Sequence, residues 1–204
     1  MSVQELYDNG QYDQVLATLG AHPPLEHLPL AAFAYQKTKQ WEEAMNCWNT
    51  LIASEPNKAE YYNERGVCKF NLRFKHAIQD FDKAISLEPT NAYYYSCRAY
   101  IRDKTGNTEG SVDDYTKALE LDPEDAITLN NLGLAEQKLG FTARARERFK
   151  YSDDLLGVKT IDSRDPDEYQ KLKPTPPPKT TLWIEFKKMF TKEGFRDFWR
   201  ELRG

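Results

Sequence analysis

The stretch SLEPTNAYYY at residues 86–95 recurs along the chain with small changes. The same arrangement is found as ASEPNKAEYY at 53–62 and as ELDPEDAITL at 120–129. Each copy holds one proline, and these are Pro56, Pro89 and Pro123. They lie 33 and 34 residues apart, and a fixed period of this length predicts an array of stacked structural units.

The residues before each proline also repeat. Twelve positions earlier the chain has a small residue, eight positions earlier an aromatic one, and five positions earlier a leucine or alanine. In chain order these are Ala44, Ala77 and Ser111, then Trp48, Phe81 and Tyr115, then Leu51, Ala84 and Ala118. A fourth copy ends at Gly157 and carries Ala145, Phe149 and Ser152 at the matching places.

This pattern resembles the tetratricopeptide repeat (TPR), a pair of antiparallel helices about 34 residues long. Gly66 and Gly133 match the small residue of the first helix, and the prolines match the end of the second. The resemblance implies an all-α fold, a right-handed superhelical solenoid of antiparallel helix pairs with appended C-terminal helices. The expected repeats are 25–58, 59–91, 92–125 and 126–157.

The ends of the chain depart from the repeat. We expect a truncated helical hairpin over 1–24, because Ser2 and Glu5 fit a capping box and Gly10 and Gly20 can end short helices. After the repeats the sequence predicts a short capping helix over 158–173, a Pro-rich linker over 174–181 and a basic aromatic amphipathic helical tail over 182–203.

Composition excludes several classes of protein. The chain has 204 residues with 28 Lys plus Arg and 32 Asp plus Glu, a balance that argues against nucleic-acid binding. It contains neither an apolar run long enough to span a membrane nor the pattern of a signal peptide, so we expect a cytoplasmic protein.

No catalytic or metal-binding motif is recognisable, so the sequence predicts neither an enzyme nor a cofactor. The histidines His22, His27 and His76 lack ligand spacing. The cysteines are expected as core fillers, and they are Cys47, Cys68 and Cys97. The acidic pairs 113–114 and 153–154 indicate solvated faces.

In the TPR family the first helices of the pairs line a peptide-binding groove. The resemblance places these residues there: Phe33, Val67, Phe70, Tyr93, Tyr100, Leu134, Asn63, Asn130 and Asn131. An apolar row bordered by amides suits an apolar or amphipathic segment of a partner protein. For any one of these residues, packing between repeats is the alternative role.

Some TPR proteins grip the C-terminal carboxylates of chaperone tails with Lys, Asn and Arg side chains. The corresponding positions here are Asn63, Val67, Cys97, Ile127 and Asn131. Because none of them is a Lys or Arg, a free carboxylate would lack a charged partner, and we do not expect this carboxylate clamp.

The tail is basic, with seven Lys or Arg against four Asp or Glu over 179–204. Its large interaction residues are Trp183, Phe186, Phe190, Phe195, Phe198 and Trp199. Large apolar side chains of this kind are unfavourable in water. The chain's own repeats, a second copy or an anionic membrane surface could bury them. We therefore expect a non-catalytic scaffold or adaptor whose groove the tail can occupy in cis or in trans. The alternative is a peripheral membrane adaptor anchored by the tail.

Overall fold

The computed structural model describes residues 1–157. Clustering of the backbone gives two compact units, the first being Met1–Arg102 and the second beginning at Asp103. The expectations for the capping helix, the linker and the tail concern residues 158–204 and lie outside the described part of the chain.

Residues 1–157 contain ten α-helices and no β-strand. In chain order they are α1 (Val3–Asp8), α2 (Tyr12–Leu19), α3 (Leu28–Lys37), α4 (Trp41–Ser54), α5 (Ala59–Asn71), α6 (Ala77–Leu87), α7 (Ala92–Lys104), α8 (Thr108–Leu121), α9 (Ala126–Lys138) and α10 (Thr142–Leu156). A short 3₁₀ helix, Leu25–His27, precedes α3. The expected all-α class is confirmed.

The repeat positions mark helix ends and form buried faces, as their spacing predicts. Helices α4, α6 and α8 each end two residues before a proline of the repeat, because proline cannot continue a helix. The small and aromatic repeat positions are buried in α4, α6 and α8, as Ala44 and Trp48, Ala77 and Phe81, and Ser111 and Tyr115. Each of these second helices therefore buries the residues that recur in the sequence.

Two glycines allow the helices of a pair to approach closely. A Cβ atom added at Gly66 of α5 would lie 2.8 Å from Cε2 of Phe81 on α6. In the second unit, a Cβ atom at Gly133 of α9 would lie 2.6 Å from Cε1 of Phe149 on α10. Both distances are shorter than a carbon–carbon contact allows, so each aromatic ring lies in space that only glycine leaves open.

The N-terminal hairpin has the expected caps. The Ser2 hydroxyl accepts a hydrogen bond from the backbone N–H of Glu5, and the Glu5 carboxylate accepts one from the backbone N–H of Ser2. Gly10 and Gly20 both adopt positive φ, and Gly20 caps the end of α2. The capping box and the two helix ends are thus confirmed.

The prediction that both acidic pairs are solvated was wrong for one member of each. Asp114 of α8 and Asp153 of α10 are buried, whereas their neighbours Asp113 and Asp154 are exposed. Adjacent residues on a helix point about 100° apart, so an acidic pair at the edge of a buried face places one carboxylate inside. The three cysteines are free and buried, as expected.

A buried group of charges joins α5 to α6 in the first unit. The Arg65 guanidinium donates to both carboxylate oxygens of Asp80, at 2.8 Å each, and Lys69 Nζ lies 2.9 Å from the same carboxylate. Arg65 also donates to Oδ1 of Asn49 on α4, at 3.0 Å. Since Asp80 is buried, these charges form part of the packing between three helices.

Candidate functional site

The predicted groove residues of the first unit lie on three first helices, α3, α5 and α7. Four of them, Phe33, Phe70, Tyr93 and Tyr100, are aromatic and half-buried. The Phe33 ring packs edge-on against Trp48, with ring centroids 5.0 Å apart, so part of it belongs to the core of its own pair. Each of these rings therefore combines a packing surface with an accessible one.

Two other predicted groove residues of α5, Asn63 and Val67, are buried. Asn63 donates from Nδ2 to Oε1 of Glu64 at 3.3 Å, and its own Oδ1 has no hydrogen-bond partner. The amide at this position is thus an internal group that leaves one acceptor unsatisfied, a costly arrangement for a buried polar atom.

Glu64 lies among the candidate site residues, and the sequence analysis did not select it. Gln36 of α3 donates from Nε2 to Oε2 of Glu64 at 3.0 Å and also lies 3.4 Å from Sγ of Cys68. Glu64 follows the predicted residue Asn63, and at about 100° per residue both can face α3. An acidic residue beside an otherwise apolar row was the available signal.

The carboxylate of Glu64 also acts electrostatically on tyrosines of two further helices. Burial raises the pKa of Tyr7 on α1 to about 12, and the nearby Tyr12, Glu64 and Asp8 add to that rise. Burial likewise raises the pKa of Tyr93 on α7, with contributions from Cys97 and Glu64. Residues of α1, α3 and α7 therefore converge on one carboxylate of α5, and both tyrosines stay protonated at neutral pH.

The second unit holds the three remaining predicted groove residues, Asn130, Asn131 and Leu134, all on α9. Asn130 is buried and neither polar atom of its side chain has a hydrogen-bond partner. Asn131 is half-buried, and Leu134 is exposed over about a third of its surface, at 37 %. On another face of α9 the buried Glu136 forms ion pairs with Arg144 and Arg148 of α10, at 2.9 and 3.7 Å. That pairing holds α9 against α10.

Metal sites and membrane spans were sought among the same described residues. Among residues 1–157 no group of three His, Cys, Asp or Glu side chains is placed to hold a metal ion. The same residues include no helix long and apolar enough to cross a membrane. Helices α3, α5 and α7 offer partly exposed aromatic side chains, which are enriched in surfaces that recognise other polypeptide.

Comparison with protein families finds the TPR repeat family, whose model matches residues 101–140. Among curated proteins, the chain is 28% identical over 129 residues to the DnaJ homolog subfamily C member 7 homolog of Dictyostelium discoideum, covering 61% of this chain and 23% of that protein. It is 27% identical over 140 residues to RNA polymerase II-associated protein 3 of Xenopus laevis, covering 68% and 21%. The chain thus spans less than a quarter of the length of these relatives.

Solved structures with the same fold include the crystal structure of MamA, with a TM-score of 0.64 and 21% identity over 76% of this chain and 95% of that one. A structure described as the first TPR of Spaghetti (RPAP3) bound to HSP90 peptide SRMEEVD is 26% identical, with a TM-score of 0.53, and covers 57% of this chain and 93% of that one. Repeat spacing, buried repeat positions and these similarities agree that the chain contains tetratricopeptide repeats.

Proposed function

We propose that this protein is a non-catalytic scaffold that binds an apolar or amphipathic segment of a partner protein along its first helices. The observation that carries the proposal is the set of half-buried aromatic residues on α3, α5 and α7, which are Phe33, Phe70, Tyr93 and Tyr100. Aromatic side chains with one face accessible supply large contact area at low entropic cost, as binding surfaces require.

The comparison with the RPAP3 domain supports a protein ligand but not an acidic one. The peptide in that structure, SRMEEVD, carries several carboxylates. At the carboxylate-clamp positions of the first unit this chain has Asn63, Val67 and Cys97, all of them buried and none of them cationic. At the corresponding positions of the second unit it has Ile127 and Asn131. We therefore propose a ligand bound through apolar contacts instead of terminal carboxylates.

The proposal includes the chain's own tail as an occupant of this surface, in cis or in trans. Residues 182–203 lie outside the described part of the chain, and the support is their composition, which is basic and rich in Trp and Phe. Its positive charge complements the rest of the chain, where residues 1–178 carry 21 Lys or Arg against 28 Asp or Glu, and its aromatic side chains suit contacts with the aromatic residues of the first helices. Its occupancy would make the protein autoinhibited toward other ligands.

Site-specific photocrosslinking tests both parts of the proposal on the full chain. A photoreactive phenylalanine analogue replaces Phe70, which lies on the proposed surface, or Phe74, which lies in the following turn and is 53 % exposed. The two positions are in the same unit and four residues apart, so Phe74 is a matched control for nonspecific crosslinking. Mass spectrometry then identifies the residues attached at each position.

We expect several-fold more crosslinking at position 70 than at position 74. Products that join position 70 to residues 182–203 would support tail occupancy, and products with a second protein would support the scaffold function without it. Equal, diffuse crosslinking at both positions would contradict the proposed binding surface.

A further inference from the structure

A cleft of about 640 Å³ opens in the first unit, between the start of α3 and the corner where α4 leads into α5. Its lining residues are Pro24, Leu25, Glu26, Pro29, Leu51, Glu55 and Tyr61. The volume falls within the range of about 300–1,000 Å³ that is usual for pockets which bury a ligand.

One wall of the cleft is rigid because two prolines build it. Pro24 is held in the extended conformation, with φ −61° and ψ 155°, and caps the 3₁₀ helix. Pro29 is in the first turn of α3, where the proline ring fixes φ and a missing N–H has no cost. Gly20, at φ 71°, turns the chain into this segment. A preformed wall lowers the entropy lost when a ligand binds.

The cleft combines an apolar floor with two carboxylates. Leu51 is buried beneath it, whereas Leu25 at its edge, the first residue of the 3₁₀ helix, is 52 % exposed. Glu55 Oε1 accepts a hydrogen bond from the Tyr61 hydroxyl at 3.2 Å, which fixes one carboxylate beside the opening. Glu26 is exposed, and its carboxylate lies 3.8 Å from Nε2 of His27.

The lining residues of this cleft in the described structure include no Lys or Arg, so its two carboxylates give the opening a negative charge. Burial raises the pKa of the Tyr61 hydroxyl, and the negative charge of Glu55 raises that pKa further. Charge complementarity therefore selects a cationic ligand group, and the floor selects a large apolar group next to it.

The Pro-Leu pair at this cleft is particular to the first repeat. The residues that take the place of Leu25 at the start of the later first helices are alanines, and they are Ala59, Ala92 and Ala126. The residues that take the place of Pro24 are Lys58, Asn91 and Asp125. Because the repeat itself needs only a small residue here, the Pro-Leu pair adds a surface that stacking does not require.

We propose that this cleft binds a segment of a partner protein in which Lys or Arg stands next to a large apolar side chain. The apolar side chain enters between Leu25, Pro29 and Tyr61, while the cation pairs with the carboxylates of Glu26 and Glu55. The inference rests on the proposed function, because it names the chemistry of a segment that the scaffold holds.

Matched synthetic peptides test this on the full chain. The probe is an acetylated, amidated hexapeptide of three phenylalanines and three lysines, and its counterparts carry glutamine or glutamate instead of lysine. Affinities come from calorimetry, and backbone amide shifts locate the bound peptide. We expect the lysine peptide to bind about threefold to tenfold more tightly than the glutamine peptide, as partly exposed ion pairs allow, and the glutamate peptide to bind most weakly. The preference should shrink at high salt.

Variants of exposed residues separate the charge from the apolar contact. Glu55→Gln should reduce the preference for lysine over glutamine, whereas Glu88→Gln should leave it unchanged. Glu88 is a matched control because it caps α6 as Glu55 caps α4, with nearly the same backbone angles. Leu25→Ser should weaken all the peptides, and Phe74→Ser, at an equally exposed position, should weaken none.

Four results would overturn the inference. Equal affinity for the lysine and glutamine peptides would remove the charge recognition. Amide shifts centred on Phe70 and Tyr93 would remove the cleft while leaving the proposed function intact. Absence of any binding, together with diffuse crosslinking at position 70, would remove both. Finally, Lys187 and Lys188 of the tail can both be changed to glutamine. If this change makes the lysine peptide bind tenfold more tightly, the cleft is occupied by the chain's own tail and not by a partner.

Discussion

Replacing Asp80 by asparagine tests the buried charge group that joins α5 to α6. The change keeps the shape of the side chain but removes its negative charge between two cations. The Asp80 side chain is only 6 % exposed, and those of Arg65 and Lys69 are 18 % and 26 % exposed. The amide would direct N–H donors toward at least one of these cations, so two positive charges would stay partly buried without their counter-ion.

The expected cost follows from that geometry. Breaking a fully buried ion pair costs about 3–5 kcal/mol of unfolding free energy. The two cations retain some exposure, and Arg65 keeps its hydrogen bond to Asn49, so we expect about 2–4 kcal/mol here. Asp82, two residues along α6, pairs with Arg98 at 2.6 Å but is itself 48 % exposed. Asp82→Asn should therefore cost only about 0–1 kcal/mol.

Chemical denaturation of the full chain, followed by circular dichroism, measures the difference between the two variants. The loss at Asp80 should persist in 1 M salt, because buried charges are screened far less than exposed ones. The combined variant Arg65→Leu, Lys69→Met and Asp80→Leu should recover most of the stability, since apolar residues often replace a buried ion group without loss. Equal stability of Asp80→Asn and Asp82→Asn would refute the assignment of Asp80 to the packing.

Three further changes test the repeat packing, the N-terminal cap and the reactivity of a cysteine. Gly133→Ala should lower the unfolding free energy by about 1–3 kcal/mol, because its new Cβ would lie 2.6 Å from Phe149, and an unchanged melting temperature would contradict this. Ser2→Ala should cost about 1 kcal/mol and speed hydrogen exchange at the Glu5 amide, and unaltered exchange there would show that the cap is unimportant. Burial raises the pKa of Cys47 to about 11, so little thiolate forms at pH 8. Iodoacetamide should therefore label this thiol at least tenfold more slowly in the native protein than in the denatured protein. Equal labelling rates would contradict the burial of Cys47.

The repeat positions made the fold predictable from the sequence. A single match such as Trp48 or Pro56 carries little information, but the same set recurring at 33 and 34 residues fixes helix ends, helix pairing and the buried face together. Residues that satisfy a requirement of every pair, such as Ala44 and Phe81, therefore appear in the structure as the pattern implies.

The charged interior could not be predicted in the same way. Arg65 and Asp80 are 15 residues apart on different helices, and only the packing of α5 on α6 brings them to 2.8 Å. Glu64 is one residue from a predicted groove position, but its role depends on Gln36, which lies 28 residues away on α3. The Gln36–Glu64 pair has no counterpart one repeat later, where Phe70 and Cys97 take the two positions, so the period contains no information about it. Arg65 and Asp80 do recur, as Arg98 and Asp114, but the recurrence alone does not show that the two residues are paired.

The same reasoning indicates where the specific function of the protein is encoded. Residues shared by all copies are explained by stacking. Another explanation is needed for a residue that meets two conditions: stacking does not require its type, and its side chain is exposed. Leu25 meets both conditions, because the later copies use alanine at its position and its side chain is half-exposed at the mouth of a cleft. We therefore expect substitutions at Leu25 to change ligand binding without changing stability, and a fall of more than about 1 kcal/mol in the stability of Leu25→Ser would show instead that it serves the packing of the first repeat.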